Sequence, residues 1–189
     1  MNDYEQDIKN CIEYMTHDGV ILYPTDTIWG LGCDATNENA IEKIVELKNR
    51  EVSKSFILLM TDVKQLSRYI ADPLPNLQDL IDQLPMPTTI IYSNAINLPY
   101  RLINEDQSIA VRITKDPFCR SLIKRLRQPI VSTSANISGQ PSPTTFYNIS
   151  DEIKQKVDYI VQWRLQDTEP KEASSILKLN KHGHFDKIR

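Results

Sequence analysis

Glycine is scarce in this chain, five residues in 189, so the places where the few glycines fall carry information. Histidine is scarcer still, at three. Two of them, His182 and His184, sit in a polar C-terminal stretch that reads as an exposed tail, with weak metal binding as the alternative. A Ser-His-Asp triad would need His17 or that tail, which argues against it. The three cysteines, Cys11, Cys33 and Cys119, are odd in number, widely spaced and free of any C-x-x-C pair. They predict reduced thiols in a cytoplasmic protein rather than a disulfide framework. No apolar run approaches the roughly 18 residues of a membrane span, and Met1-Asn2-Asp3-Tyr4-Glu5 lacks the basic and apolar regions of a secretory signal. There is no G-x-x-x-x-G-K-[ST] loop and no G-x-S-x-G elbow. No repeat or Gly/Ser linker divides the chain, so residues 1–189 are expected to form a single domain. A net charge of −3 counts against a generic polyanion binder. The local exception is Arg120, Lys124, Arg125 and Arg127, which read as the solvated face of a helix or as a basic patch.

What is present is an intermixed series of helical and strand patterns. Tyr4 to Tyr14 carries Ile8, Cys11 and Ile12 at helical spacing, with Asp18-Gly19 as a stop. Val20 to Tyr23 is a short continuous apolar run, the pattern of a strand buried on both faces. Helices are expected over Asn37 to Asn49, Asp62 to Ile70, Leu74 to Leu84, from Asp116-Pro117 onward, and over Asp151 to Val157. Strands are expected at Phe56 to Met60, Thr89 to Tyr92, Ser108 to Ile113, Pro129 to Ser132, Tyr159 to Val161 and Ser175 to Leu177. This order predicts an α/β protein with a mixed, twisted sheet flanked by helices.

Four polar segments are candidates for chemistry. Tyr23 to Gly32 places threonine hydroxyls and two close glycines after an apolar strand, which suits either a ligand loop or a well-bonded turn. Lys48-Asn49-Arg50, with Lys54 shortly after, ends a predicted helix. Cations there are favourable anyway, by about 0.3–1 kcal/mol, and would equally make a paired phosphate site. Arg112 lies inside an apolar strand and needs an anion, from the protein or from a substrate. Finally, Ser132-Thr133-Ser134-Ala135-Asn136-Ile137-Ser138-Gly139 follows a buried strand with four hydroxyls and an amide. Small donors packed so closely suit a tetrahedral oxyanion or a carboxylate, and here the residues themselves favour a ligand.

The order of these pieces is more telling than any one of them. YPTDTIWGLGCD, then KNR with a lysine four residues on, then PMPTT, AVRI and STSANISGQPSPT together resemble the YrdC family of threonylcarbamoyl-adenylate synthases. The likeness runs from about Gly19 to Thr144. It implies a fold with a large concave, positively lined cavity. It also implies an enzyme that converts L-threonine, bicarbonate and ATP into threonylcarbamoyl-AMP and pyrophosphate, a nucleotidyl transfer. The product would serve threonylcarbamoyladenosine modification of tRNA through further transfer proteins, with possible direct tRNA contact. By matching positions, Lys48 and Arg50 would hold phosphates with Lys54 nearby. Thr25 and Thr89 would line the threonine pocket, and Arg112 would pair with a carboxylate or carbamate. Ser132, Ser134 and Asn136 would position the nucleotide and the reacting groups. Mg²⁺ is expected with the triphosphate, although no carboxylate identifies itself as its ligand.

The sequence departs from the family pattern at several points. Glu51 stands where proline is usual, Ser55-Phe56 where Pro-Leu is usual, and Met86 where a glycine is usual. Ser174-Ser175-Ile176 represents the late S-T-[IV] element, and the chain stops at Arg189 without the usual glycine, as expected of a short form. Two other readings compete: a non-catalytic RNA-binding module, and a paralogue that activates or transfers a carbamoyl group on another acceptor.

Overall fold

The computed structural model describes residues 3–49, 56–84 and 87–189. Among them, nine strands join in one mixed sheet: β1 (Ile21–Tyr23), β2 (Gly30–Asp34), β3 (Ile57–Met60), β4 (Thr88–Tyr92), β5 (Ile109–Ile113), β6 (Ile130–Ser134), β7 (Tyr159–Ile160), β8 (Ser175–Leu179) and β9 (Phe185–Lys187). Their order across the sheet is β7-β1-β2-β6-β3-β5-β4-β8-β9. The pairs β1/β7, β3/β5 and β4/β8 are parallel and the others antiparallel. Six α-helices flank it: α1 (Glu5–Met15), α2 (Glu38–Lys48), α3 (Val63–Leu66), α4 (Leu77–Asp82), α5 (Pro117–Leu126) and α6 (Asp151–Lys156). None of the described helices is long and apolar enough to cross a membrane. The expected α/β class with a mixed sheet is what the chain adopts.

Helix ends follow their sequence signals. Asn37 caps α2 by accepting from the Ala40 amide, and Asn49 closes it in the left-handed region at φ 48°. Asp116 caps α5 through the Cys119 amide, with Pro117 at the first helical position. The helix expected over Asp62 to Ile70 is shorter, because the chain turns so that Ile70 bridges Ala95 and the Ala71 amide reaches Asn94 O. Likewise α4 starts only after Pro73 and Pro75, which disfavour helix in the residues before them.

Alternation along the strands gives the sheet two unlike faces. One face carries Leu22, Leu31, Leu58, Met60, Val111 and Val131, packed with Ile41, Ile44 and Leu47 of α2, Leu66 of α3, and Leu77 and Ile81 of α4. The other is divided. At one end Ile21, Tyr23, Leu59 and Ile130 pack under Ile8 and Cys11 of α1 and Phe118, Leu122 and Ile123 of α5. Each fully buried aliphatic side chain contributes about 1.5–3 kcal/mol. Beyond these two helices Gly30, Ser132, Ile57, Ala110 and Ile91 continue the same face as the floor of a cavity.

Two strands escape the sequence pattern. Gly30 and Gly32 lie within β2, paired to Tyr23 and Ile21 on one side and to Ser134 and Ser132 on the other. Their backbone amides belong to the ladder, so the two glycines at the end of the Tyr23 to Gly32 segment are strand rather than part of a ligand loop or turn. The polar C-terminal stretch is no loose tail either, since Phe185–Lys187 pairs with β8, and Asn180 Oδ1 accepts from the His182 and His184 amides.

Candidate active site

The cavity encloses about 300 Å³. Its floor is the uncovered sheet, and its walls are the loop between β1 and β2, the residues following β6, and the β8–β9 end of the chain. Thr25, Arg112, Ser132 and Ser134 border it, which brings together four of the residues singled out from sequence.

Arg112 is the chemical centre of one wall. It is 4% exposed, buried within β5 and directed to the cavity side of the sheet. Nη1 donates to Thr27 Oγ1 at 2.9 Å, and Nη2 stands 3.2 Å from Asp26 Oδ1. That ion pair lacks hydrogen-bond alignment, for Asp26 Oδ1 and Arg112 Nε both have no hydrogen-bond partner among the described residues. A buried guanidinium held from one side, with donor capacity left, is suited to a planar carboxylate or carbamate. The loop that holds it is itself tied. Thr25 Oγ1 donates to Ile28 O at 2.8 Å and accepts from the Thr27 amide at 3.0 Å. From outside, Arg164 Nη1 reaches Asp116 Oδ2 at 2.7 Å and Thr25 O at 3.5 Å.

The opposite wall is the serine run. Ser132 Oγ accepts from the Tyr23 hydroxyl at 2.8 Å, and Ser134 lies two residues further along β6, opposite Gly30. Gly30 keeps this wall open, because a Cβ there would stand 3.2 Å from Ser132 Oγ. Burial pushes the Tyr23 phenol well above its usual range, and it pushes the Cys119 thiol up as well. Cys119 Sγ contacts Pro24 O at 3.7 Å, so this thiol is a packing group beneath the loop.

The other expected site residues are placed differently. Lys48 is 1% exposed and does not border the cavity. Its ammonium donates to Ser134 O and Asn136 O, each at 2.5 Å, and to Asn136 Oδ1 at 3.4 Å. Asn136 in turn donates from Nδ2 to Ile137 O and Gln140 O, holding its own loop. Thr89 is fully buried, hydrogen-bonded to Ser174 at 2.8 Å, and it is Ser174 that borders the cavity. Arg50 and Lys54, with Glu51, Ser55 and Met86, lie outside the described residues. Two contributors went unrecognised in the sequence. Ser142 belongs to a run quoted only for its order, and Arg189, whose Nη2 donates to Ser174 O at 2.9 Å, carries no pattern at all. Among the described residues no group of three or more His, Cys, Asp or Glu gathers to hold a metal.

Within the basic run of α5, Arg120 donates to Thr61 O and Thr114 O, and Arg125 pairs with Glu5 at 2.5 Å. Two of its four cations are thus occupied in holding the fold.

Comparison with known proteins gives the family and the fold. A threonylcarbamoyl-AMP synthase of Pseudoalteromonas translucida is 34% identical over 157 residues, which span 82% of this chain and 84% of that protein. A threonylcarbamoyl-AMP synthase of Coxiella burnetii is 31% identical over 170 residues, 89% of this chain and 91% of that one. The structure of P. abyssi Sua5 complexed with L-threonine superposes with a TM-score of 0.81 at 25% identity, covering 93% of this chain and 51% of that one. This chain therefore corresponds to about half of that Sua5. The Sua5/YciO/YrdC family model, described as telomere recombination, matches residues 13–189, and the chain belongs to that family.

Proposed function

We propose that the chain is an L-threonylcarbamoyladenylate synthase acting in the threonylcarbamoyladenosine modification of tRNA. The observation that carries the reading is Arg112, a buried guanidinium on the cavity wall, braced by Asp26 and Thr27 and retaining an unpaired Nε. The names of the relatives supply the reaction, and the residues suit its charges.

The threonine amine and bicarbonate give the carbamate and water. A carbamate oxygen then attacks the α-phosphorus of ATP, the bond to the bridging oxygen of the β-phosphate breaks, and pyrophosphate leaves. Negative charge therefore has to be held at two places, the carboxylate–carbamate end and the phosphoryl end. Arg112 is assigned the first, with Thr25 and Ser174 bordering the same space and Thr89 supporting Ser174 from behind. Ser132 and Ser134 are assigned the second as donors to the nucleotide, with Arg189 as a further cation on the wall. Lys48 and Asn136 keep their place in the reading, but through the loop they brace rather than by open contact with a phosphate. Arg50 and Lys54 remain the proposed direct phosphate cations. Mg²⁺ is assigned to the triphosphate that it accompanies, since it is commonly held by phosphate oxygens, waters and one or two carboxylates rather than by a protein cage. The partners proposed are tRNA and the proteins of the later transfer, in the cytoplasm.

The test is pyrophosphate release from ATP, assayed with threonine and bicarbonate added singly and together. Release is expected only with both. Release that ignores threonine would assign the site to another carbamoyl acceptor. No release under any combination would overturn the synthase reading.

A further inference from the structure

Tyr23 has no task in the reaction as assigned, yet it is fully buried beside the serine wall. Its ring fills the space that β2 leaves by having glycine at position 32, where a Cβ would lie 2.6 Å from Tyr23 Cε1. Its hydroxyl meets Ser132 Oγ at 2.8 Å and has no other partner among the described residues. The direction of that bond follows from burial. A phenolic O–H sealed from water must find an acceptor or bear the cost of an unmade hydrogen bond, and Ser132 Oγ is the acceptor present. Because burial also holds the phenol well above its ordinary range, the proton stays on Tyr23. A serine hydroxyl has one proton and two lone pairs. With one lone pair taken from behind, its own proton must turn elsewhere. Among the described residues no protein acceptor meets Ser132 Oγ, and the cavity lies on that side.

We infer that Tyr23 is a positioning residue that fixes Ser132 as a one-way hydrogen-bond donor into the cavity, so that this point selects an oxyanion of the substrate. The inference rests on the reading of Ser132 as a nucleotide donor. It accounts for a tyrosine, rather than a phenylalanine, in a slot that the ring alone would fill. Donation along the chain Tyr23–Ser132–substrate strengthens each bond in turn.

The experiment is a double-mutant cycle on pyrophosphate release, using Y23F, S132A and the pair. Y23F keeps the ring and deletes only the hydroxyl. It is expected to fold as the wild type by circular dichroism and to lose roughly 3- to 10-fold in kcat, the scale of one neutral hydrogen bond. KM for threonine should stay within about twofold, because Arg112 holds that end. In the S132A background Y23F should cost nothing more. Wild-type kcat in Y23F, or a loss that adds fully to that of S132A, overturns the inference and leaves the site reading standing. A silent S132A overturns both. Should Y23F misfold, 3-fluorotyrosine at position 23 keeps the shape and makes a stronger donor. It must then change kcat in the wild type and leave the S132A variant unmoved, and any other result overturns the inference.

Discussion

Lys48 carries its charge at 1% exposure, and that changes what the residue is for. From sequence it is a cation at a helix end, available to a phosphate, and its removal should abolish turnover while sparing the fold. In the fold the ammonium is a strut between α2 and the residues after β6, bonded to Ser134 O and Asn136 O. Truncation leaves Asn136 O without its ammonium donor and takes a charge-assisted bond from Ser134 O, which keeps only the Asn136 amide at 2.9 Å. Such bonds are individually worth about 1.5–3 kcal/mol. Lys48→Ala is therefore expected to destabilise by about 2–4 kcal/mol. In a protein of this size that lowers Tm by roughly 4–16 °C. Turnover should fall with it, because Ser134 loses its support. Calorimetry alongside the pyrophosphate assay separates the two roles. Lost turnover at an unchanged Tm would return Lys48 to direct phosphate ligation. Arg112 is the opposite case, a cation also buried but bordering the cavity, with its Nε unpaired among the described residues.

The second strand shows how an element can be hidden from its own sequence. Gly-Leu-Gly-Cys-Asp has β-unfavourable glycine at two of five positions, and two close glycines after a polar loop read as more loop. The glycines are there for opposite neighbours. At Gly32 an added Cβ meets the Tyr23 ring at 2.6 Å and Val131 O at 3.0 Å, so Gly32→Ala overpacks a buried aromatic. The expected cost is about 1–3 kcal/mol. At Gly30 the nearest atoms are 3.2 Å or more away and the position borders the cavity. Gly30→Ala should therefore hold its Tm while raising KM for the nucleotide several-fold. Thermal melts and steady-state kinetics on both variants check the contrast, and a Gly32→Ala that melts with the wild type would refute it. Where alternation or apolar runs were clean, as at Ile109–Ile113 and Val20 to Tyr23, strand and buried face were both legible. Arg112 and the Ser132 to Ser134 run stand out as candidates, because a charge in an apolar strand or a dense hydroxyl run is conspicuous locally. Thr25 is singled out by the family resemblance, and all of them border the cavity. What sequence could not disclose depends on partners far along the chain. Thr89 is hidden by Ser174, Lys48 is turned inward by carbonyls 86 and 88 residues away, and β9 is a strand only because β8 lies beside it.

At the scale of the whole molecule the cavity belongs to no single stretch of chain. The N-terminal strands β1 and β2 lie on one side of the central β6-β3-β5 group, and β8 and β9 lie on the other. Late in sequence, β7 returns to pair with β1 at the far edge. That return is fastened by charge and by hydrogen bonds. Asp7 of α1 accepts from the Tyr159 hydroxyl and from the Gln162 and Trp163 amides. Arg164 then reaches Asp116 and the Thr25 carbonyl. A cut anywhere between β1 and β8 would separate paired strands, because β7 pairs with β1 and β8 with β4, and on that ground we propose one domain over residues 1–189. Unfolding should then be a single cooperative transition, with calorimetric and van't Hoff enthalpies equal. Ligands that bridge the two walls should move that whole transition upward, by RT ln(1 + [L]/Kd), rather than one part of it. Scanning calorimetry with and without threonine plus ATP tests both statements. Two resolved transitions, or a ligand shift confined to part of the heat absorption, would mean that the two walls belong to separately folding units and that the cavity forms only when they meet.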